Sequence, residues 1–67
     1  MKITLNNRPD SLDQDQLTVS ELLKIKNFTF KMLVIKVNGK LVKKDAYSSF
    51  KINDGDNVTV LHLVSGG

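Results

Sequence analysis

The chain contains no cysteine, no tryptophan and a single histidine, and these absences exclude several kinds of site. Without cysteine it can form no disulfide, no thiolate metal site and no cysteine nucleophile. The lone histidine, His62, cannot assemble a histidine-rich metal site, and we interpret it as a half-covered bystander near the end of a sheet. In a chain of 67 residues, stability must therefore come from a compact apolar core alone.

Long apolar runs and clustered positive charge are also missing. No run approaches the roughly 18 residues of a membrane span, and the first residues lack the apolar segment of a signal peptide. We therefore expect a cytoplasmic protein that does not enter a membrane. The net charge of +3 comes from dispersed lysines, of which only Lys43 and Lys44 are adjacent, and aromatic residues are few. Nucleic-acid binding is accordingly not expected.

The first part of the chain predicts a hairpin followed by a short helix. Residues 1–6 alternate between apolar and polar, as in a half-buried strand, and a weak edge strand over 10–15 closes the hairpin. Thr18 and Glu21 have the spacing of a capping box, which predicts a helix over 19–26. Its apolar residues form one stripe, so this helix can cover one face of one sheet.

The second part of the chain predicts three more strands. Residues 32–38 alternate, and an Asn-Gly pair then turns the chain into a short strand at 40–42. A polar stretch over 43–50 predicts a helical turn or loop, and the final strand covers 57–64. One helix on one mixed sheet of about four to five strands is an α+β two-layer domain. With the first and last strands adjacent and parallel at the centre, it is a β-grasp arrangement.

The final strand divides by parity into two faces. Val58 and Val60 are predicted to face the core because they follow a turn into the middle of the domain. Leu61 and Leu63 then lie on the opposite face, which no second helix covers, and form an exposed contact patch for a partner. The alternative is that the 43–50 segment covers both leucines.

The sequence finishes with Ser65, Gly66 and Gly67, which we interpret as a flexible tail after a domain formed by residues 1–64. Two residues without Cβ atoms can enter a channel too narrow for any other residue type. The carboxylate of Gly67, ionised at neutral pH, is a usable nucleophile toward the α-phosphate of ATP. Such an attack gives an acyl adenylate. Because the chain has no phosphate-binding glycine loop, a separate enzyme must catalyse this step.

Together these features resemble the sulfur carrier proteins of thiamine biosynthesis, the ThiS family of the ubiquitin-like β-grasp superfamily. The resemblance covers the whole chain and rests on the order and spacing of segments 18–23, 37–39, 41–42, 54–56 and 66–67. The family often has a proline near the position of Lys43 and a tryptophan near that of Tyr47. Neither departure touches the tail.

The resemblance implies a sulfur carrier that acts as a co-substrate and is not itself an enzyme. A ubiquitin-activating-like adenylyltransferase would use ATP and magnesium to adenylate Gly67, and a desulfurase system would supply sulfur. The resulting thiocarboxylate would give its sulfur to thiazole synthase. The chain itself would bind no cofactor or metal. Ser65 and Gly66 would enter the partner's active site, and Leu61 and Leu63 would help to dock the domain.

Three other interpretations stay open. The small subunit of molybdopterin synthase, which is typically longer, uses the same fold and chemistry with a different acceptor. A protein modifier would join Gly67 to lysines of its targets through isopeptide bonds. A non-covalent binding module would use the face of the sheet, and its glycines would be incidental. We expect the chain by itself to be a monomer.

Overall fold

The computed structural model describes residues 1–28 and 32–62 of the chain. Within these ranges a mixed five-stranded sheet packs on one short α-helix, and a second, two-stranded sheet lies beside them. The elements in chain order are β1 (Lys2–Leu5), β2 (Arg8–Ser11), β3 (Leu17–Thr18), α1 (Val19–Ile25), β4 (Leu33–Val37), β5 (Lys40–Val42), a 3₁₀ turn (Lys44–Ala46), β6 (Lys51–Ile52) and β7 (Asn57–His62).

The large sheet has the strand order β2-β1-β7-β4-β5, with β7 at its centre. β7 runs parallel to β1, where Leu5 lies opposite Val58, and antiparallel to β4, where Ile35 lies opposite Val60. The other two neighbouring pairs are antiparallel hairpins. The predicted α+β β-grasp arrangement, with its first and last strands adjacent and parallel, is confirmed.

The first hairpin was predicted correctly, but its second strand is Arg8–Ser11 and not residues 10–15. The turn consists of only Asn6 and Asn7, whose φ angles of 51° and 65° both lie in the left-handed region that asparagine tolerates. The return strand therefore starts earlier and includes Pro9. Proline is accommodated because β2 is an edge strand of the sheet.

Helix α1 begins with the capping box that its sequence predicts. The Glu21 backbone N–H donates to Thr18 Oγ1 at 3.2 Å, and the Thr18 N–H donates to Glu21 Oε1 at 2.9 Å. The helix ends at Ile25, one residue before the predicted end, and Lys26 is the C-cap. The Lys26 ammonium pairs with the Asp10 carboxylate of β2, which ties the end of the helix to the edge of the sheet.

The core lies between α1 and one face of the large sheet. Its buried side chains among the described residues are Ile3, Leu5, Leu17, Val19, Leu22, Ile35, Val37, Val42, Ile52, Val58 and Val60. Val58 and Val60 face the core as predicted. Tyr47 and Phe50, from the segment that includes the 3₁₀ turn, are half-buried and pack against the core.

The two-stranded sheet was not predicted. β3 and β6 pair antiparallel, with Leu17 opposite Ile52 and Thr18 opposite Lys51. Two-residue strands are too short to show an alternating pattern, so the sequence carries no periodic signal for them. Their pairing places Ile52, which is fully buried, opposite Leu17 and so close to the N-terminal end of α1.

Candidate functional site

The candidate site is the end of β7, from which the chain continues toward Ser65, Gly66 and Gly67. Those three residues, together with Leu63, lie outside the described residues. The structure therefore bears on the strand that leads to them and on the surfaces around it.

The start of β7 is held by a network of asparagine and aspartate side chains. The Asn57 N–H donates to Asn38 Oδ1 at 2.8 Å, and Asn38 Nδ2 donates to Asp56 Oδ1 at 3.0 Å. The second oxygen of Asp56 accepts from the Asn53 N–H at 2.8 Å. Both carboxylate oxygens of Asp56 are thus engaged within the protein, and the β4–β5 turn is fixed to the beginning of β7.

A cleft of about 260 Å³ lies beside this network, between the β4–β5 turn and the segment before β7. Lys40 and Lys51 contribute cationic side chains to its wall, and Phe50 contributes an aromatic one. The cleft borders Asp56, so it lies at the opposite end of β7 from the tail. None of the residues predicted for the functional site lines it.

The middle of β7 is paired on both of its edges. Backbone pairing with β1 reaches Leu5 and Val58, and the Asn6 N–H then donates to the Val58 carbonyl at 2.9 Å. The next contact on this edge comes from a side chain: the Val60 N–H donates to Asn6 Oδ1 at 2.8 Å. On the other edge, pairing with β4 continues to Leu33 opposite His62.

Leu61 lies on the sheet face that α1 does not cover, as its parity predicts. Its side chain is 49% exposed, while Val58 is fully buried on the other face. The alternative that the 43–50 segment covers Leu61 is wrong, because Tyr47 and Phe50 of that segment pack against the core instead.

The face around Leu61 combines aliphatic and cationic side chains. Leu61 lies opposite Val34 of β4, and Lys36 lies between Leu41 of β5 and Thr59 of β7. Leu41 is 56% exposed. We call this surface the open face; by parity it carries Val34, Lys36, Leu41, Thr59 and Leu61.

His62 is the last described residue of β7 and is exposed, rather than half-covered as predicted. It lies at the end of the strand opposite Leu33, where the sheet narrows to the β4–β7 pair. Within residues 1–28 and 32–62, no group of three histidine, aspartate or glutamate side chains is arranged to hold a metal ion. No helix in the same part of the chain is long and apolar enough to cross a membrane.

Comparisons with known proteins agree with this geometry. The model of the ThiS family matches residues 3–67. The crystal structure of a thiamine biosynthesis protein (ThiS) from Geobacter metallireducens superposes with a TM-score of 0.90 at 29% identity, and the match covers 100% of both chains. An NMR structure of a thiamine biosynthesis protein from the same organism gives a TM-score of 0.82 at 29% identity, covering 100% of this chain and 88% of that one. No curated protein sequence matches the chain.

Proposed function

Because the chain belongs to the ThiS family, we propose that it is a sulfur carrier of thiamine biosynthesis whose reactive group is the carboxylate of Gly67. The observation that carries this proposal is the family match, which extends through both final glycines to residue 67. The full-length likeness to a thiamine biosynthesis protein supports the same pathway.

The proposed chemistry takes place in two steps at the carboxyl group of Gly67. A carboxylate oxygen of Gly67 attacks the α-phosphorus of ATP, which forms an acyl adenylate and releases pyrophosphate. A desulfurase system supplies sulfur as a persulfide, and a thiol reductant provides the two electrons that release it as sulfide. The sulfide then attacks the acyl carbon, and AMP leaves with the electrons of the broken C–O bond. The product is a thiocarboxylate. With no cysteine in the sequence, the chain has no thiol side chain that could hold the sulfur instead.

In this proposal the chain is a co-substrate, and its partners supply the catalysis in the cytoplasm. A ubiquitin-activating-like adenylyltransferase binds ATP and magnesium and catalyses the first step. Thiazole synthase receives the sulfur. Residues 1–64 serve as the folded domain, and residues 65–67 serve as the arm that enters each partner's active site, where Gly66 passes the narrowest part because it has no side chain.

The open face supports a docking role for the strand that leads to this arm. Leu61 exposes an aliphatic side chain beside Val34, on the same strand that continues to the reactive terminus. A partner that must hold the arm in its active site necessarily lies close to this surface. We therefore assign Leu61, together with Leu63, to the contact with the activating enzyme.

Gene deletion in the source organism identifies the acceptor of the sulfur. We expect the deletion strain to need thiamine or its thiazole precursor for growth and to keep normal molybdoenzyme activity. A plasmid with the intact gene should restore growth, and the same plasmid lacking the codon for Gly67 should not. Loss of molybdoenzyme activity without a thiamine requirement would instead identify the molybdopterin synthase subunit. Full rescue by the plasmid without Gly67 would reject a carrier of either kind.

A further inference from the structure

Asn6 connects the first hairpin to the last strand through two atoms of one residue. Its backbone N–H donates to the Val58 carbonyl at 2.9 Å, and its side-chain oxygen accepts from the Val60 N–H at 2.8 Å. With a φ of 51°, Asn6 occupies the left-handed conformation that starts the tight turn into β2. The backbone of β1 therefore turns away after Asn6, and the carboxamide continues the pairing for one more position.

The two edges of β7 can be told apart from these bonds. Val58 and Val60 bond to Asn6 on the β1 edge, whereas Asn57 bonds to Asn38 on the β4 edge. Because backbone groups in a strand alternate between its edges, the Leu61 N–H faces β4. The Asn6 carboxamide thus accepts its hydrogen bond on the β1 edge only, from Val60, which is the last core residue before the exposed Leu61.

We propose that Asn6 is a positioning residue whose side chain holds the end of β7 in line with β4 and so fixes how the C-terminal segment is presented to the activating enzyme. The second half of this statement rests on the proposed function. A strand held from both edges has fewer orientations at its end than a strand held from one. Ordering that end before binding lowers the entropic cost of binding.

Asn6→Gly isolates the side-chain bond. Glycine adopts a positive φ without strain and keeps the backbone bond to Val58, so the variant removes only the acceptor for Val60. Asn7→Gly is the matched control, because Asn7 has a φ of 65° in the same turn. Asn6→Asp is the conservative variant, since a carboxylate oxygen can still accept from the Val60 N–H.

Amide hydrogen exchange tests the bond directly. Relative to Asn7→Gly, we expect the Val60 amide of Asn6→Gly to exchange about three- to tenfold faster, the factor expected for one lost hydrogen bond. The Leu61 amide should keep its protection because it faces β4, and Asn6→Asp should restore the protection of Val60. Equal exchange of Val60 in the two glycine variants would overturn the proposal. Faster exchange throughout β7 would show a general loss of stability and would overturn it as well.

Steady-state kinetics with the adenylyltransferase of the source organism test the consequence, with pyrophosphate release as the signal. We expect Asn6→Gly to raise the KM for the carrier by a similar factor and to leave kcat unchanged, because the lost hydrogen bond affects the free carrier and not the chemistry of the bound complex. Asn6→Asp should return KM to that of the unmodified chain, and an unchanged KM in Asn6→Gly would overturn the presentation role. If the adenylyltransferase releases no pyrophosphate with the unmodified chain, the proposed function fails. The hydrogen exchange of the Val60 amide still decides whether Asn6 holds β7.

Discussion

Leu61 is the described residue that we assign to the contact with the proposed activating enzyme. It is half-exposed on the open face, two positions after the half-buried Thr59 and one after the buried Val60. A carboxylate at this position stays in water, so folding should tolerate it, whereas an apolar partner surface would have to desolvate it. We expect the free energy of unfolding of Leu61→Asp to lie within about 0.5 kcal/mol of that of the unmodified chain. We expect the variant to bind the activating enzyme at least about tenfold more weakly.

Ile25→Asp is the matched control for this substitution. Ile25 is a second aliphatic residue of nearly the same exposure, 45%, but it lies at the end of α1 and not on the open face. Isothermal titration calorimetry should give it the affinity of the unmodified chain. Unfolding of Leu61→Asp would show that Leu61 contributes to the core, and unchanged affinity would remove Leu61 from the docking surface.

Single residues were predictable where they follow the alternation of a strand. Parity along β7 predicts Val58 and Val60 inside and Leu61 outside, and the exposures agree. Asn6 was not predictable in the same way. Its sequence context indicates only a turn, and its bond to Val60 joins residues 54 positions apart. Such a contact depends on how β1 and β7 align, which local sequence does not specify.

At the scale of elements, the start of α1 was the most predictable feature because it depends on four consecutive residues. The hydroxyl of Thr18 accepts from the Glu21 N–H, and the Glu21 carboxylate accepts from the Thr18 N–H. Such local reciprocal bonds satisfy backbone donors that the first turn of a helix leaves free. Because Thr18 and Glu21 lie within one turn of each other, these bonds depend little on the surrounding fold.

Thr18→Ala tests how much this cap stabilises the domain. We expect the free energy of unfolding to fall by about 1 kcal/mol, the usual cost of losing an N-cap side chain. Urea denaturation followed by circular dichroism measures it. Ser20→Ala, at the second position of the helix, should change the free energy little because alanine is the best helix former. A loss for Thr18→Ala no greater than that for Ser20→Ala would contradict the role of the cap.

The elements that were mispredicted depend on geometry rather than on composition. The predicted range of 10–15 lies too late for β2 because two left-handed asparagines, Asn6 and Asn7, complete the turn and the return strand starts at Arg8. β3 and β6 were missed because each contributes only two residues, which pair across a separation that no local pattern shows. The hairpin at Asn38 was found because an Asn-Gly pair is a strong local signal.

At the scale of the whole molecule, the described core is complete before the proposed reactive terminus. Its buried residues run from Ile3 to Val60, and the side-chain network at Asp56 fixes the beginning of β7. Domains of this size are only marginally stable, with about 0.05–0.15 kcal/mol per residue. In the proposed function, a terminus that lies outside the described core can therefore react with partners without weakening the fold.

The central claim is that Gly67 carries sulfur as a thiocarboxylate, and intact mass spectrometry tests it most directly. The chain is incubated with ATP, magnesium, a sulfide source and its adenylyltransferase, and a chain lacking Gly67 is treated in parallel. The shortened chain should unfold at the same urea concentration as the full one, because the described core lies entirely before it. We predict that the full chain gains the mass of one oxygen replaced by sulfur and that the shortened chain gains none. No gain in the full chain, or an equal gain in both, would contradict the account.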